Sequence, residues 1–286
     1  MLDTLEPRSG RRGRWAVCML LLPALLFMTC TFLAPLAKLL EQSLSDSRGT
    51  FAAYAEILGS SIYRRVLLHT LSTALIVTAI SIVLACPTAF LLTRLKGARL
   101  QVAFWCVLAP LWISALVRTF SWMLLLESHG PINRLLRAAH LTAAPLKLLF
   151  NDTGVYIGMV HVLLPYAILP IYAALVRIDP RLALASEGLG AGPLMTFRRV
   201  YLPLSLPGVA AAAMLVFLLA LGFFVTPALL GGGRNLTIAI LIQSLVDERL
   251  AWPIAGAASF VLLTATLALL LLTARLVPLR RFMGAF

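Results

Sequence analysis

Residues 66–92 read "VLLHTLSTALIVTAISIVLACPTAFLL", 27 consecutive positions without one Asp, Glu, Lys or Arg. A hydrocarbon core of about 30 Å needs roughly 20 apolar residues at about 1.5 Å rise each, so this stretch is long enough to cross one. In lipid every backbone N–H and C=O must be satisfied internally, which a single segment achieves only as an α-helix. The stretch is therefore read as a transmembrane helix, and the fold of the chain follows from how often it recurs.

Five further stretches share its character: 16–37, 102–125, 154–176, 207–230 and 252–274. None contains Asp, Glu or Lys, and the third alone contains an Arg, Arg118. The expected architecture is an all-α polytopic membrane protein of six helices over 16–274. Short tails, 1–15 and 275–286, flank it. Composition agrees: 61% of the 286 residues are hydrophobic and 12% charged, about half the charge of a soluble domain, which excludes the soluble classes. Disordered, collagen-like and disulfide-scaffold readings fail too, because apolar content is high, glycine has no period, and Cys18, Cys30, Cys86 and Cys106 all lie in apolar runs.

The basic run "RSGRRGRW" at 8–15 could open a secretory signal peptide. The apolar run behind it exceeds the usual 7–15-residue core of such peptides, so a retained first helix is expected. The formal charge of +13 would point to nucleic acid in a soluble protein, but here it sits between apolar runs, where it reads as topology and no nucleic-acid partner is expected. With both termini on the cytoplasmic side, the inside segments hold 14 Lys/Arg against 4 Asp/Glu, and the outside loops 9 against 7. Orientation is therefore expected to be N-in and C-in. Pro23, Pro35, Pro87, Pro110, Pro165, Pro170 and Pro227 interrupt the spans. Each removes a backbone donor, which suits a bundle with an interior pathway, although membrane helices also tolerate proline generally.

Enzymatic chemistry has no visible home. None of Lys38, Lys96 and Lys147 follows a glycine, so there is no phosphate loop, and His69, His129, His140 and His161 form no metal-binding pattern. No catalytic or metal site and no cofactor are expected on this chain. His161 is read as a satisfied histidine of the bundle interior. Asn151 and Asn235 begin Asn-x-Ser/Thr triplets, which are expected to go unmodified.

The segment 177–206, "RIDPRLALASEGLGAGPLMTFRRVYLPLSL", has the punctuation of two short helices. Asp179 is placed to cap the first, with Pro180 at its first position, and Gly188, Gly190 and Gly192 close it. Pro193 opens the second, expected to end before Pro203. Leu182, Ala185 and Leu189 form a narrow apolar stripe on the first helix. Such a stripe either lies on the membrane surface or docks into a partner's groove.

This segment resembles the EAA loop of ABC-importer permeases. Leu184, Ala185 and Ser186 stand at its Glu-Ala-Ala, Gly190 at its glycine, and Val200, Leu202 and Pro203 at its Ile-x-Leu-Pro ending, all at the family's spacing. Leu184 departs from the usual glutamate, and Glu187 follows three residues later. "LAPLWISALVRTFSW", "GPIN", "LLPYAILPIYAAL" and "FFVTPALLGG" extend the resemblance, in order, to the polyamine-type (spermidine/putrescine) branch.

The resemblance implies a type I, MetI-like permease in the bacterial inner membrane, forming half of a translocation path for a small polar solute. The partners it implies are an ABC ATPase dimer, a second permease subunit that is homologous or identical, a periplasmic solute-binding protein and the lipid bilayer. ATP and Mg would be used by the ATPase, with no cofactor on this chain. Coupling would fall to 180–199, with Leu182, Ala185 and Leu189 docking and Gly190 as pivot. A charge within a span is expensive, which singles out Arg118; lining of the path, an inter-subunit contact, a structural anchor and snorkelling all remain open for it. Trp112 and Trp122, with Tyr166, Phe223 and Phe224, complete the expected substrate path. A self-contained secondary transporter is the alternative, disfavoured because no span holds a carboxylate for ion coupling.

Overall fold

In the computed structural model the described residues are 11–276, and every regular element among them is helical. The helices follow in order: α1 Arg11–Leu44, α2 Ala52–Gly59, α3 Ser61–Arg94, α4 Gly97–Trp112, α5 Ala115–Leu126, α6 Pro131–Ala138 and α7 Asp152–Val176. Then come α8 Pro180–Gly188, α9 Pro193–Thr196, a π-turn at Phe197–Tyr201, α10 Leu202–Leu221, α11 Val225–Leu230, α12 Ile238–Asp247 and α13 Trp252–Leu276. The tails expected over 1–15 and 275–286 fall largely outside the described residues.

The centre of the bundle is a triangle of α3, α7 and α10. Its buried side chains include Ala74, Ala85 and Ala89 of α3, Met159, Leu163, Ala167 and Ile171 of α7, and Ala212, Val216 and Ala220 of α10. Alanines from all three helices sit among the larger side chains, because lipid is as apolar as leucine and membrane helices gain by close backbone packing. Gly208 marks the closest approach: a Cβ there would collide with Ala174 Cβ and lie 2.9 Å from the Pro170 carbonyl oxygen. At Gly158 a Cβ would sit 2.6 Å from Leu230 Cδ1 and 2.7 Å from Thr226 Cγ2, which brings α11 against α7.

α1 and α13 form a second pair, closest at Gly256, where a Cβ would lie 3.0 Å from Leu39 O and from Ser43 Cβ. The short helices α2 and α12 pack on α13 at the end away from α8 and build a separate cluster around Ala53, Ile57, Leu241, Leu245 and Ala258. Thr70 Oγ1 accepts from Ile238 N at 2.9 Å and ties α12 to α3. Both Asn-x-Ser/Thr asparagines are engaged: Asn151 Oδ1 accepts from Gly154 N and starts α7, while buried Asn235 donates to Asp152.

Three helices depart from the expected boundaries. The stretch expected as one helix over 102–125 is two, because Ile113 and Ser114 adopt extended backbone and the chain bends by 100°. Pro110 leaves the Cys106 carbonyl without its helical donor, so the helix is already weakened one turn before it stops. The long helix expected at 207–230 instead runs continuously over Pro193–Leu221 and halts at Gly222, with Pro227 falling in separate α11. The second loop helix therefore does not end before Pro203. Leu202 N donates to Phe197 O, five residues back, and this π register carries the helix past a residue with no N–H to give.

Candidate functional site: the α8–α9 loop and the α5–α7 polar contact

The loop helix α8 is closed at both ends by its own residues. Asp179 Oδ1 accepts from Arg181 N at 2.9 Å, and Pro180 occupies the first helical position, where its missing donor costs nothing. At the other end Gly190 N donates to Glu187 O at 2.9 Å and Ala191 N to Ser186 O at 3.1 Å. This pair of bonds is the Schellman motif, and it places Gly190 at the left-handed position, φ +85. Gly188 and Gly192 need no such conformation.

The buried face of α8 carries Ala183, 8% exposed, and Ser186, whose hydroxyl meets Thr196 Oγ1 at 3.2 Å and ties α8 to α9. The remaining apolar side chains point away from the bundle. Leu182, Leu184, Leu189 at 90% and, on α9, Leu194 at 80% and Met195 are exposed, as are Ala185 and Glu187. The stripe expected at Leu182, Ala185 and Leu189 is thus exposed, and Leu184 adds a second flank. Val200 and Leu202 are half-buried around the π-turn, and Pro203 is exposed.

An aromatic brace that sequence reading missed joins this loop to α3. Phe90 packs edge-on against Phe197 at 4.9 Å and against Tyr201 at 5.2 Å, and the Arg94 guanidinium lies over the Phe90 ring at 5.0 Å. Edge-to-face pairs are worth about 0.5–1.5 kcal/mol each beyond area burial, so the contact ties the loop to α3. The only signal was the i,i+4 recurrence of Phe197 and Tyr201 on the face opposite Arg198 and Arg199.

Of the residues expected along a path, the structure brings some together and separates others. Trp122 Nε1 donates to His161 Nδ1 at 3.2 Å, so the proton of the neutral imidazole sits on Nε2. Arg118, one turn before Trp122, lies within electrostatic reach of His161 and Tyr166. Its Nε and Nη1 are buried and have no hydrogen-bond partner among the described residues. Trp112 stands apart on α4, 73% exposed, and stacks edge-on with Trp105 at 5.0 Å. Phe223 packs on the α3–α7–α10 core, and Phe224 precedes α11. The α11 helix is held to α5 by Thr119 Oγ1 and Thr226 Oγ1 at 3.2 Å.

Residues 99–281 match the family described as "Binding-protein-dependent transport system inner membrane component". The chain is 33% identical over 258 residues to the spermidine/putrescine transport system permease protein PotB of Escherichia coli (strain K12), covering 90% of this chain and 92% of that one. It is 32% identical over 262 residues to the PotB of Haemophilus influenzae, covering 90% and 88%. Its fold superposes with a TM-score of 0.74 on a chain of a bacterial alginate ABC transporter solved in complex with alginate pentasaccharide-bound periplasmic protein, at 17% identity over 92% of this chain and 94% of that one. Family match, identity over nine-tenths of the length and the helical fold agree: the chain belongs to the binding-protein-dependent transport system inner membrane components, and is the multi-pass permease subunit of an ABC importer.

Proposed function

We propose that this permease forms half of the path by which a small polycationic solute of the polyamine kind, delivered by a periplasmic binding protein, crosses the inner membrane. A second permease subunit forms the other half. ATP and Mg act on a separate ATPase pair, and this chain binds no cofactor. Both termini and the α8–α9 loop face the cytoplasm. The observation that carries the reading is the α8–α9 unit, capped at both ends, braced to α3 and presenting exposed apolar side chains. A helix of this kind fits a socket on a partner and passes that partner's motion to the spans as a rigid body.

The solute class rests on the PotB relatives, which are spermidine/putrescine permeases by description. Arg118 sets a positive charge beside Trp122 and Tyr166 and the spans hold no carboxylate, so selection of a cation falls to the binding protein rather than to this cluster. The test is uptake by the assembled importer in proteoliposomes. Gly190→Asp is expected to lower ATPase assembly or transport severalfold, and labelled spermidine and putrescine are expected to be taken up in preference to anionic solutes. Full assembly and transport with Gly190→Asp would remove the coupling assignment, and preferential uptake of an anion would remove the solute class.

A further inference from the structure

At the α8 end of the bundle, where α3 stops and α4 starts, a recess of about 460 Å³ is lined by Arg94, Leu95, Lys96, Ala98 and Arg99. Three of its five lining residues are cationic. No carboxylate occurs in the sequence between Glu56 and Glu127, and none of the three cations has an ion pair among the described residues. All three side chains are exposed, so the recess is an open patch of unopposed positive charge that an anion can reach from solvent or from the membrane surface.

Its position says what completes it. Arg94 follows the apolar run 66–92 by two residues and Arg99 lies in the first turn of the next helix, so the recess sits where the apolar crossing ends. Leu95 and Ala98 provide an apolar floor between the cations. Arg94 is already oriented, its guanidinium held over Phe90 at 5.0 Å and Tyr201 at 6.0 Å, so little side-chain entropy remains to be lost on binding. A planar guanidinium flanked by a second arginine and an ammonium matches a phosphodiester, and basic recesses between spans on the cytoplasmic side are the usual place for anionic headgroups.

We propose that Arg94, Lys96 and Arg99 bind the phosphate headgroup of an anionic phospholipid. Because Arg94 stacks on the same rings that brace the α8–α9 loop, the bound headgroup stiffens the junction between α3 and that loop.

The importer, purified with its partner subunits and stripped of lipid, is titrated separately with phosphatidylglycerol, phosphatidylcholine and inorganic phosphate, and bound lipid is counted by native mass spectrometry. Lys96→Gln/Arg99→Gln leaves the Arg94 stack in place, and Arg134→Gln/Arg137→Gln on exposed α6, at the opposite end, makes the same charge change as a control. Each cation near an anionic surface is worth about fivefold, so the first variant is expected to bind phosphatidylglycerol roughly 30-fold more weakly at an unchanged thermal midpoint, and the control to match wild type. Single Lys96→Gln, with roughly a fivefold effect, decides the matter if the double variant is unstable. Equal loss in the control, equal retention of phosphatidylcholine, or displacement of the lipid by inorganic phosphate would overturn the proposal. So would loss of the ATPase subunits with lipid retention unchanged, which would make the recess a protein contact.

Discussion

Gly190 is the residue whose side chain, or lack of one, is dictated by the backbone around it. Its φ of +85 ends α8 in a Schellman motif, and a nothing-but-hydrogen side chain is tolerated there where a β-carbon costs about 1–2 kcal/mol. Gly190→Val is expected to cost more transport than Gly190→Asn, since asparagine is the non-glycine residue most at ease in the left-handed region; equal losses in proteoliposome uptake would locate the defect in packing instead. Arg118 was legible as the one charge within a span, whereas the Trp122–His161 bond, which joins α5 to α7, was not, because partners 39 residues apart share no local pattern. Trp122→Phe is expected to remove about 1 kcal/mol of thermal stability, measured as a lower melting midpoint in detergent, and to leave assembly intact. Arg118→Ala is expected to change uptake rate with little change in that midpoint, since Nε and Nη1 make no hydrogen bond whose loss could be felt.

At the scale of the element, helices were readable wherever their apolar runs were long, and their interruptions were not. Pro110 announces a weakness in the third span, but a missing donor kinks some helices and breaks others; the 100° bend depends on Ile113 and Ser114 turning extended where α5 is held to α11 through Thr119 and Thr226. Pro203 was read as a stop, yet the π-turn before it lets one helix run from Pro193 to Leu221. That continuity matters mechanically, because α9 and α10 then form a single rod with α8 tied to it by Ser186 and Thr196. Phe90→Ala removes both edge-to-face contacts with this rod, together worth about 1–3 kcal/mol. It is expected to leave the assembled importer hydrolysing ATP while solute uptake falls. An unchanged ratio of uptake to hydrolysis would show that the brace does not transmit motion. Gly208→Leu is expected to prevent stable folding altogether, since its side chain meets Ala174 Cβ and the α7 backbone, neither of which can swing aside.

For the whole molecule, the orientation read from charge asymmetry is a prediction about two loops. In a cysteine-free background, Ser47→Cys in the α1–α2 turn is expected to react with a membrane-impermeant thiol reagent in intact cells, and Glu187→Cys on α8 only after lysis. The reverse pattern would invert the topology and with it the proposed cytoplasmic docking of α8. The sequence by itself determined the all-helical class, the long apolar helices, the capped loop and the family resemblance, because each depends on residues close along the chain and on the constant thickness of a bilayer. Only the tertiary structure decided which helices form the α3–α7–α10 core, where the third span breaks, that Trp112 parts from Trp122, and that Phe90 and Arg94 hold the loop. Those outcomes depend on close packing between segments far apart in sequence. Small residues permit it in many registers, and only the assembled bundle selects one.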